Sequence, residues 1–193
     1  MTSVYERLKN LQITLPDVPP PVVDGYVTAF VPFVRTGNLI HLSGRLAKKD
    51  GKLWCGKLGE EITTAEGKQA ARGVAIELLA TLQAAIGDLN DLRRIVKLLV
   101  FVNSGPHFTE PHVVANGASE LFIEVFEERG SHARSALGVS CSLELLDRTS
   151  RRLCRTALTV GCSARVLDAS SKLRYRSSVV VMSCVLYCLS FGT

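Results

Sequence analysis

The chain opens with apolar residues at Val4, Leu8 and Leu11, the spacing of a short amphipathic helix over residues 3–12. Four prolines in LPDVPPPVV (15–23) end it, because each fixes φ and removes a backbone donor. YVTAFVPFV (26–34) and NLIHLSG (38–44) then read as two strands joined by RTG, with Pro32 marking an edge strand or a bulge. Asp50-Gly51 between short flanks in LAKKDGKLW signals a second hairpin. The clearest pattern follows. Ala71, Val74, Ala75, Leu78, Leu82, Ala85 and Ile86 share one helical face, between a Thr63/Glu66 capping box and a stop at Gly87. RRIVKLLVFVN (93–103) is a buried-strand run. A second helix is expected with Thr109 as N-cap, Pro111 in its first turn and Gly130 just past its end, burying Val114, Ala118, Leu121, Phe122 and Val125. HARSALGV (132–139) is the next strand. This order predicts an α+β fold with two helices packed on one face of a sheet.

Composition divides the chain. Of 193 residues 47% are hydrophobic and 21% charged, as in a globular protein, and the net charge is +5. Residues 1–140 hold 15 basic and 15 acidic residues, and residues 141–193 hold 8 and 3, so the excess charge belongs entirely to the tail. A neutral domain argues against a nucleic-acid partner. Of the six cysteines only Cys55 precedes residue 140, and the tail cysteines form no CxxC pair and have no histidine at zinc-finger spacing, so no metal is expected. The N-terminal MTSVYERLKNLQ lacks the apolar core of a secretory signal.

Ser, Leu, Arg and Cys make up 30 of the last 53 residues, with two glycines. Out-of-frame or read-through translation tends to give such a composition, which places a boundary at 139: a domain over 1–139 and an atypical extension over 140–193. The alternative is a genuine extension in which LCRTALTV (153–160) supplies a further strand. SVVVMSCVLYCLSF (178–191) is too short to span a bilayer and reads as a strand or aggregation-prone segment, so no membrane partner is expected.

Arg134 is the most informative charge. It lies in a small, apolar strand, where a guanidinium must find a partner, and its planar fork suits a carboxylate or phosphate. The competing reading is a pair with an in-chain acid or solvent. His41 beside Ser43 and Gly44 fits a surface or satisfied strand histidine better than a base. His107, His112 and His132 lie near helix ends, where capping explains them, and Cys55 has no activating neighbour in sequence. Glu124, Glu127 and Glu128 read as a solvated helix face. Tyr26, at a strand start, can hold a ligand over its ring or be an ordinary edge tyrosine. No Ser–His–Asp, metal or nucleotide motif emerges.

Taken together, RTGNLIHLSG (35–44), the capped helix with its AAR, VKLLVFVNS, NGAS and HARSALGV occur in the order found in the YjgF/RidA (reactive intermediate deaminase) family, which the chain resembles over about residues 15–139. The likeness is to the branch labelled endoribonuclease L-PSP/chorismate mutase-like. The resemblance implies a chorismate-mutase-like sheet and a barrel-like homotrimer with ligand clefts between subunits. It implies hydrolysis of reactive enamines and imines, such as 2-aminoacrylate, to 2-keto acids and ammonia, with no cofactor or metal. Arg134 would be the catalytic grip on the substrate carboxylate, with Tyr26 and Gly44 completing the substrate site. A cytoplasmic location is implied, and a mitochondrial one stays open. Two positions depart from the deaminases: Ala136 stands where they have cysteine, and no VEIEA-like stretch supplies their water-orienting glutamate, Glu144 being the nearest such acid. A non-catalytic, carboxylate-binding trimer is therefore the alternative, and RNA cleavage, suggested by the branch label, is a third. A chorismate-mutase-like isomerase has the fold label but no residue support.

Overall fold

The computed structural model describes residues 2–18, 30–139 and 158–166 in full, together with the backbone of four short strands over 22–23, 26–27, 144–146 and 153–155. Helix α1 (Val4–Asn10) starts at Ser3, which exchanges capping hydrogen bonds with Glu6. Strands β1 (Val22–Val23) and β2 (Tyr26–Val27) pair antiparallel. Strands β3 (Phe33–Thr36) and β4 (Leu39–Leu46) form the first expected hairpin. Strands β5 (Lys48–Lys49) and β6 (Lys52–Leu53) form the second, with Asp50 and Gly51 both at positive φ, as a tight hairpin turn requires. Helix α2 (Thr64–Ile86), strand β7 (Leu92–Asn103), helix α3 (Pro111–Phe126) and strand β8 (Ala133–Val139) follow. Then come the paired strands β9 (Glu144–Leu146) and β10 (Leu153–Arg155), and strand β11 (Leu158–Val166).

Three boundaries differ from the sequence expectation, one of them the end of helix α3, which stops at Phe126, with Gly130 closing the 3-10 turn that follows. The strand expected over 26–34 is split: Tyr26–Val27 pairs with Val22–Val23, and the hairpin strand begins at Phe33, directly after Pro32. Helix α3 is N-capped at Glu110 rather than Thr109, without a side-chain cap. The Glu110 carboxylate accepts from the Thr64 hydroxyl instead, and Pro111 at the first helical position has no N–H needing a partner.

The main sheet has the order β3-β4-β11-β7-β8, antiparallel except for the β7–β8 pair, which α3 connects. Its edge strand β3 is the one that Pro32 marks. Its middle strand comes from beyond Val139. In LTVGCSARV the residues Leu158, Val160, Cys162, Ala164 and Val166 are buried and those between them are half-buried, the period of two that a strand needs. This strand spans 158–166 and overlaps LCRTALTV at only three positions, Leu158 to Val160. The sheet thus draws on residues from both sides of position 139.

Helices α2 and α3 pack on the same face of the sheet and against each other. Ala71, Val74, Ala75, Leu78 and Leu82 from α2 meet Ile40, Leu98, Val100 and Val160 in one core with Val114, Ala118, Leu121, Phe122 and Val125 from α3. The helices approach closely at Gly117, where a β-carbon would lie 1.9 Å from the Lys68 carbonyl oxygen. Helix α1 docks on the C-terminal end of α3. Arg7 Nε donates to the Val125 carbonyl at 2.6 Å and Nη1 pairs with Glu127 at 3.0 Å, satisfying a terminal carbonyl at the negative end of the helix. The other face of the sheet is half-buried along its central strands and exposed at positions of its edge strands. Val34 and Leu137 on it are 52% and 51% exposed. No described helix is long and apolar enough to cross a membrane.

Candidate functional site

Arg134 lies on β8, the edge strand, in register with the core residue Leu98 of β7. That register turns its side chain to the helix side of the sheet, beneath α3. Asn116 and Ser119, one helical turn apart on α3, meet it there. Arg134 Nη1 donates to Asn116 Oδ1 at 2.8 Å and to Ser119 Oγ at 3.1 Å. No carboxylate among the described residues pairs with the guanidinium, so the in-chain acid that was the competing expectation is not found there. Ala136, two residues further on the same side, packs against the core.

His132 completes the cluster. Its Nδ1 lies 2.6 Å from the Gly130 carbonyl oxygen and its Nε2 lies 3.1 Å from Ser119 Oγ. The ring stands edge-on to Phe122, with centroids 5.9 Å apart and an 86° interplanar angle. Burial holds the imidazole below the ordinary histidine range of 6.5, and the Arg134 charge acts the same way, against the opposing pull of the Gly130 carbonyl. His132 is therefore neutral near pH 7.

Gly44 lies on β4 at a bulge. Arg45 pairs with Val160 and Leu42 with Cys162, so Ser43 and Gly44 together face the single residue Gly161. The extra residue takes backbone out of the regular ladder. It also re-aims Arg45 into the helix layer, where Nη2 donates to the buried Thr81 hydroxyl at 2.9 Å. A β-carbon on Gly44 would meet the Thr159 methyl at 3.0 Å. Tyr26 falls on β2, and its side chain lies outside the described residues.

One chain does not bring Gly44 and Arg134 together. Gly161 is level with Leu99, and Leu99 with Ser135, so the two sites lie level across the sheet but three strand spacings apart, about 14 Å. Two cavities lie elsewhere. One of about 190 Å³ is lined by Asp17, Arg45, Lys48, Glu77 and Thr81, and one of about 210 Å³ by Glu60, Gly105, His107, Phe108 and Glu110. Neither is lined by Arg134 or Gly44.

Several of the other candidates make contacts within the fold. His41 Nδ1 is 3.1 Å from Ser163 Oγ across β4 and β11. Glu124 pairs with Arg72 at 2.7 Å and Glu127 with Arg7. Cys162, in the central strand, is fully buried and its thiol is pushed up to about 12, so it is no nucleophile near neutral pH. Glu144 lies on β9, with its side chain outside the described residues, and Asp147 lies outside them altogether. Across Leu158–Val166 there is no acidic residue at all. Among the described residues no group of three or more His, Cys, Asp or Glu is placed to hold a metal ion. Asn116 and Ser119 were not singled out from the sequence. The available signal was a polar pair three residues apart inside the otherwise small and apolar ANGAS.

A five-stranded sheet with two helices packed on one face defines the chain as an α+β protein. The chain belongs to the family described as "YjgF/chorismate mutase-like, putative endoribonuclease", whose profile matches residues 7–144. It is 47% identical over 139 residues to Protein TCP17 of Trypanosoma cruzi, a match covering 71% of this chain and 84% of that one. It is similar to the crystal structure of Atu1372 from Agrobacterium tumefaciens, a protein of unknown function, with 35% identity and a TM-score of 0.71, covering 84% of this chain and 92% of that one. It is also similar to a structure described as a putative endoribonuclease from Shewanella oneidensis, with 25% identity and a TM-score of 0.73, covering 86% of this chain and all of that one.

Proposed function

We propose that Arg134 grips the carboxylate of a small metabolite, and that the protein hydrolyses reactive enamines or imines of the 2-aminoacrylate type to a 2-keto acid and ammonia. The observation that carries this reading is a half-buried guanidinium bound by two neutral acceptors, with no carboxylate from its own chain among the described residues. An arginine in that state has unused charge and unused donors for an anion. The reaction class is the one that the resemblance to reactive intermediate deaminases implies. The enamine tautomerises to an imine, water adds to the imine carbon and a proton passes to nitrogen. The resulting carbinolamine then collapses to the ketone and expels ammonia. Because the imine is already electrophilic, holding it by the carboxylate beside one water accounts for much of the catalysis.

Assembly belongs to the same proposal. Arg134 and Gly44 are too far apart in one chain to share a small ligand, and a cleft between copies would bring one subunit's Arg134 to another's Gly44. The exposed Val34 and Leu137, on the sheet face away from the helices, support a homotrimer that buries them.

Binding without turnover is the second reading. It is favoured by the lack of a VEIEA-like stretch to supply the water-orienting glutamate that the resemblance implies. One experiment separates the two. With 2-aminoacrylate generated in solution, 2-keto acid release above buffer, lost in Arg134→Ala, supports hydrolysis. No release, together with thermal stabilisation by 2-keto acids that Arg134→Ala abolishes, supports binding alone. If neither is seen, the carboxylate reading is overturned.

A further inference from the structure

The hydrogen bonds around Ser119 have a single consistent direction, and His132 sets it. The Gly130 carbonyl can only accept, so the proton on the neutral imidazole is at Nδ1, 2.6 Å away. Nε2 is then an acceptor, and the Ser119 hydroxyl 3.1 Å from it must donate. With its proton committed to His132, Ser119 Oγ offers only lone pairs toward Arg134, and it accepts from Nη1 at 3.1 Å. Asn116 Oδ1, at 2.8 Å, takes the other Nη1 proton. Both Nη1 protons are thereby used on α3. The donors still available are Nε–H and the two on Nη2, which donate to nothing among the described residues.

We infer that His132 is a positioning residue for Arg134: through Ser119 it fastens Nη1 to α3 and leaves the Nε–Nη2 edge of the guanidinium as the side-on, bidentate grip for a ligand carboxylate. The inference rests on the carboxylate-binding reading above. It extends that reading by naming which edge of the arginine meets the ligand and which residues hold it there. An Nε2–H tautomer would turn the chain around. Ser119 Oγ would then accept from histidine and from arginine at once, and the Gly130 carbonyl would lose its donor. The edge contact with Phe122 keeps the ring in the plane that reaches both partners. His132 does not touch the ligand in this arrangement. Its effect is on the angle and freedom of the guanidinium, where a bidentate pair is most sensitive.

The test uses the full chain, pyruvate as the probe carboxylate, and titration calorimetry. His132→Phe keeps the ring and its contact with Phe122 but removes both nitrogens. Ser119→Ala removes the link, and Ser119→Thr restores a hydroxyl. Each of the first two is expected to weaken pyruvate binding about five-fold, the effect of roughly one hydrogen bond. Their double variant is expected to be no weaker than either alone, because both break one chain. Ser119→Thr is expected to bind within about two-fold of the parent, since it keeps the hydroxyl bond. A long-range proton–nitrogen NMR spectrum is expected to show the Nδ1–H tautomer. Parent-like binding by both single variants, additive losses in the double variant, or an Nε2–H tautomer overturns the inference while leaving the carboxylate reading intact, provided that Arg134→Ala weakens binding. If Arg134→Ala binds pyruvate as the parent does, or the parent does not bind it, the reading itself fails and the inference fails with it. If His132→Phe does not fold, Ser119→Ala, Ser119→Thr and the NMR tautomer still decide.

Discussion

At the scale of single residues, His132 makes the protein sensitive to acid. Its folded-state pKa lies below the ordinary 6.5, so the unfolded chain takes up this proton first as pH falls. The stability tied to the neutral ring is whole above 6.5 and is lost as pH drops through the depressed value. The urea midpoint of the parent is therefore expected to fall between pH 7.5 and 5, and that of His132→Phe to fall less over the same range. Identical slopes would show that the ring is not the responsible group. Arg134→Lys is a second check at this scale. A lysine head lacks the fork that binds Asn116 and Ser119 and, in the proposed site, a carboxylate, so it is expected to recover little of the binding lost in Arg134→Ala. Arg134 stood out in the sequence because one cation in a run of small and apolar residues must find a partner. Its partners did not. Helical periodicity identifies the buried face of α3, but which strand lies under Asn116 and Ser119 is decided by the parallel pairing of β8 with β7.

At the scale of elements, the two long helices are held by different means. Helix α2 begins with a reciprocal cap, in which the Thr63 hydroxyl accepts from the Glu66 N–H and the Glu66 carboxylate accepts from the Thr63 N–H. Thr63→Ala is expected to cost about 1 kcal/mol, read from the urea unfolding midpoint. Helix α3 has no side-chain cap and depends on packing, above all at Gly117. A methyl group there meets the Lys68 backbone, which cannot swing aside as a side chain would. Gly117→Ala is expected to cost ~3 kcal/mol or more by forcing the helices apart, and to loosen Asn116 beside it, so both stability and pyruvate affinity should fall. The apolar spacing made both helices and their buried faces readable from sequence. The cap of α3 was misplaced by one residue because Thr109 has the better capping chemistry, whereas the Glu110–Thr64 contact depends on how the two helices meet.

At the scale of the whole molecule, β11 decides whether there is one sheet or two. It pairs with β4 on one side and β7 on the other, and without it neither β3–β4 nor β7–β8 has a partner across the gap. A chain ending at Val139 is expected to lose cooperative unfolding by circular dichroism. A cooperative transition in that truncation would mean that residues 1–139 form a domain alone. The proposed trimer is tested on the opposite face: Leu137→Arg is expected to convert a trimer to monomers by sedimentation. The sequence pattern showed the architecture up to Val139 well, since helices and strands there keep clean periods. Beyond it the mixed Ser, Leu, Arg and Cys composition hid a nine-residue alternation that becomes evident only between two strands with matching gaps.

The position of that strand also sets the timetable of folding. His41 and its cross-strand partner Ser163 are 122 residues apart in sequence, so β11 leaves the ribosome long after the strand it pairs with. Until then both halves present an open strand edge beside an apolar face, the arrangement most prone to pair with a neighbouring chain. Closure of such a distant contact makes for slow folding, and the growing chain must be kept from its neighbours while it waits for β11.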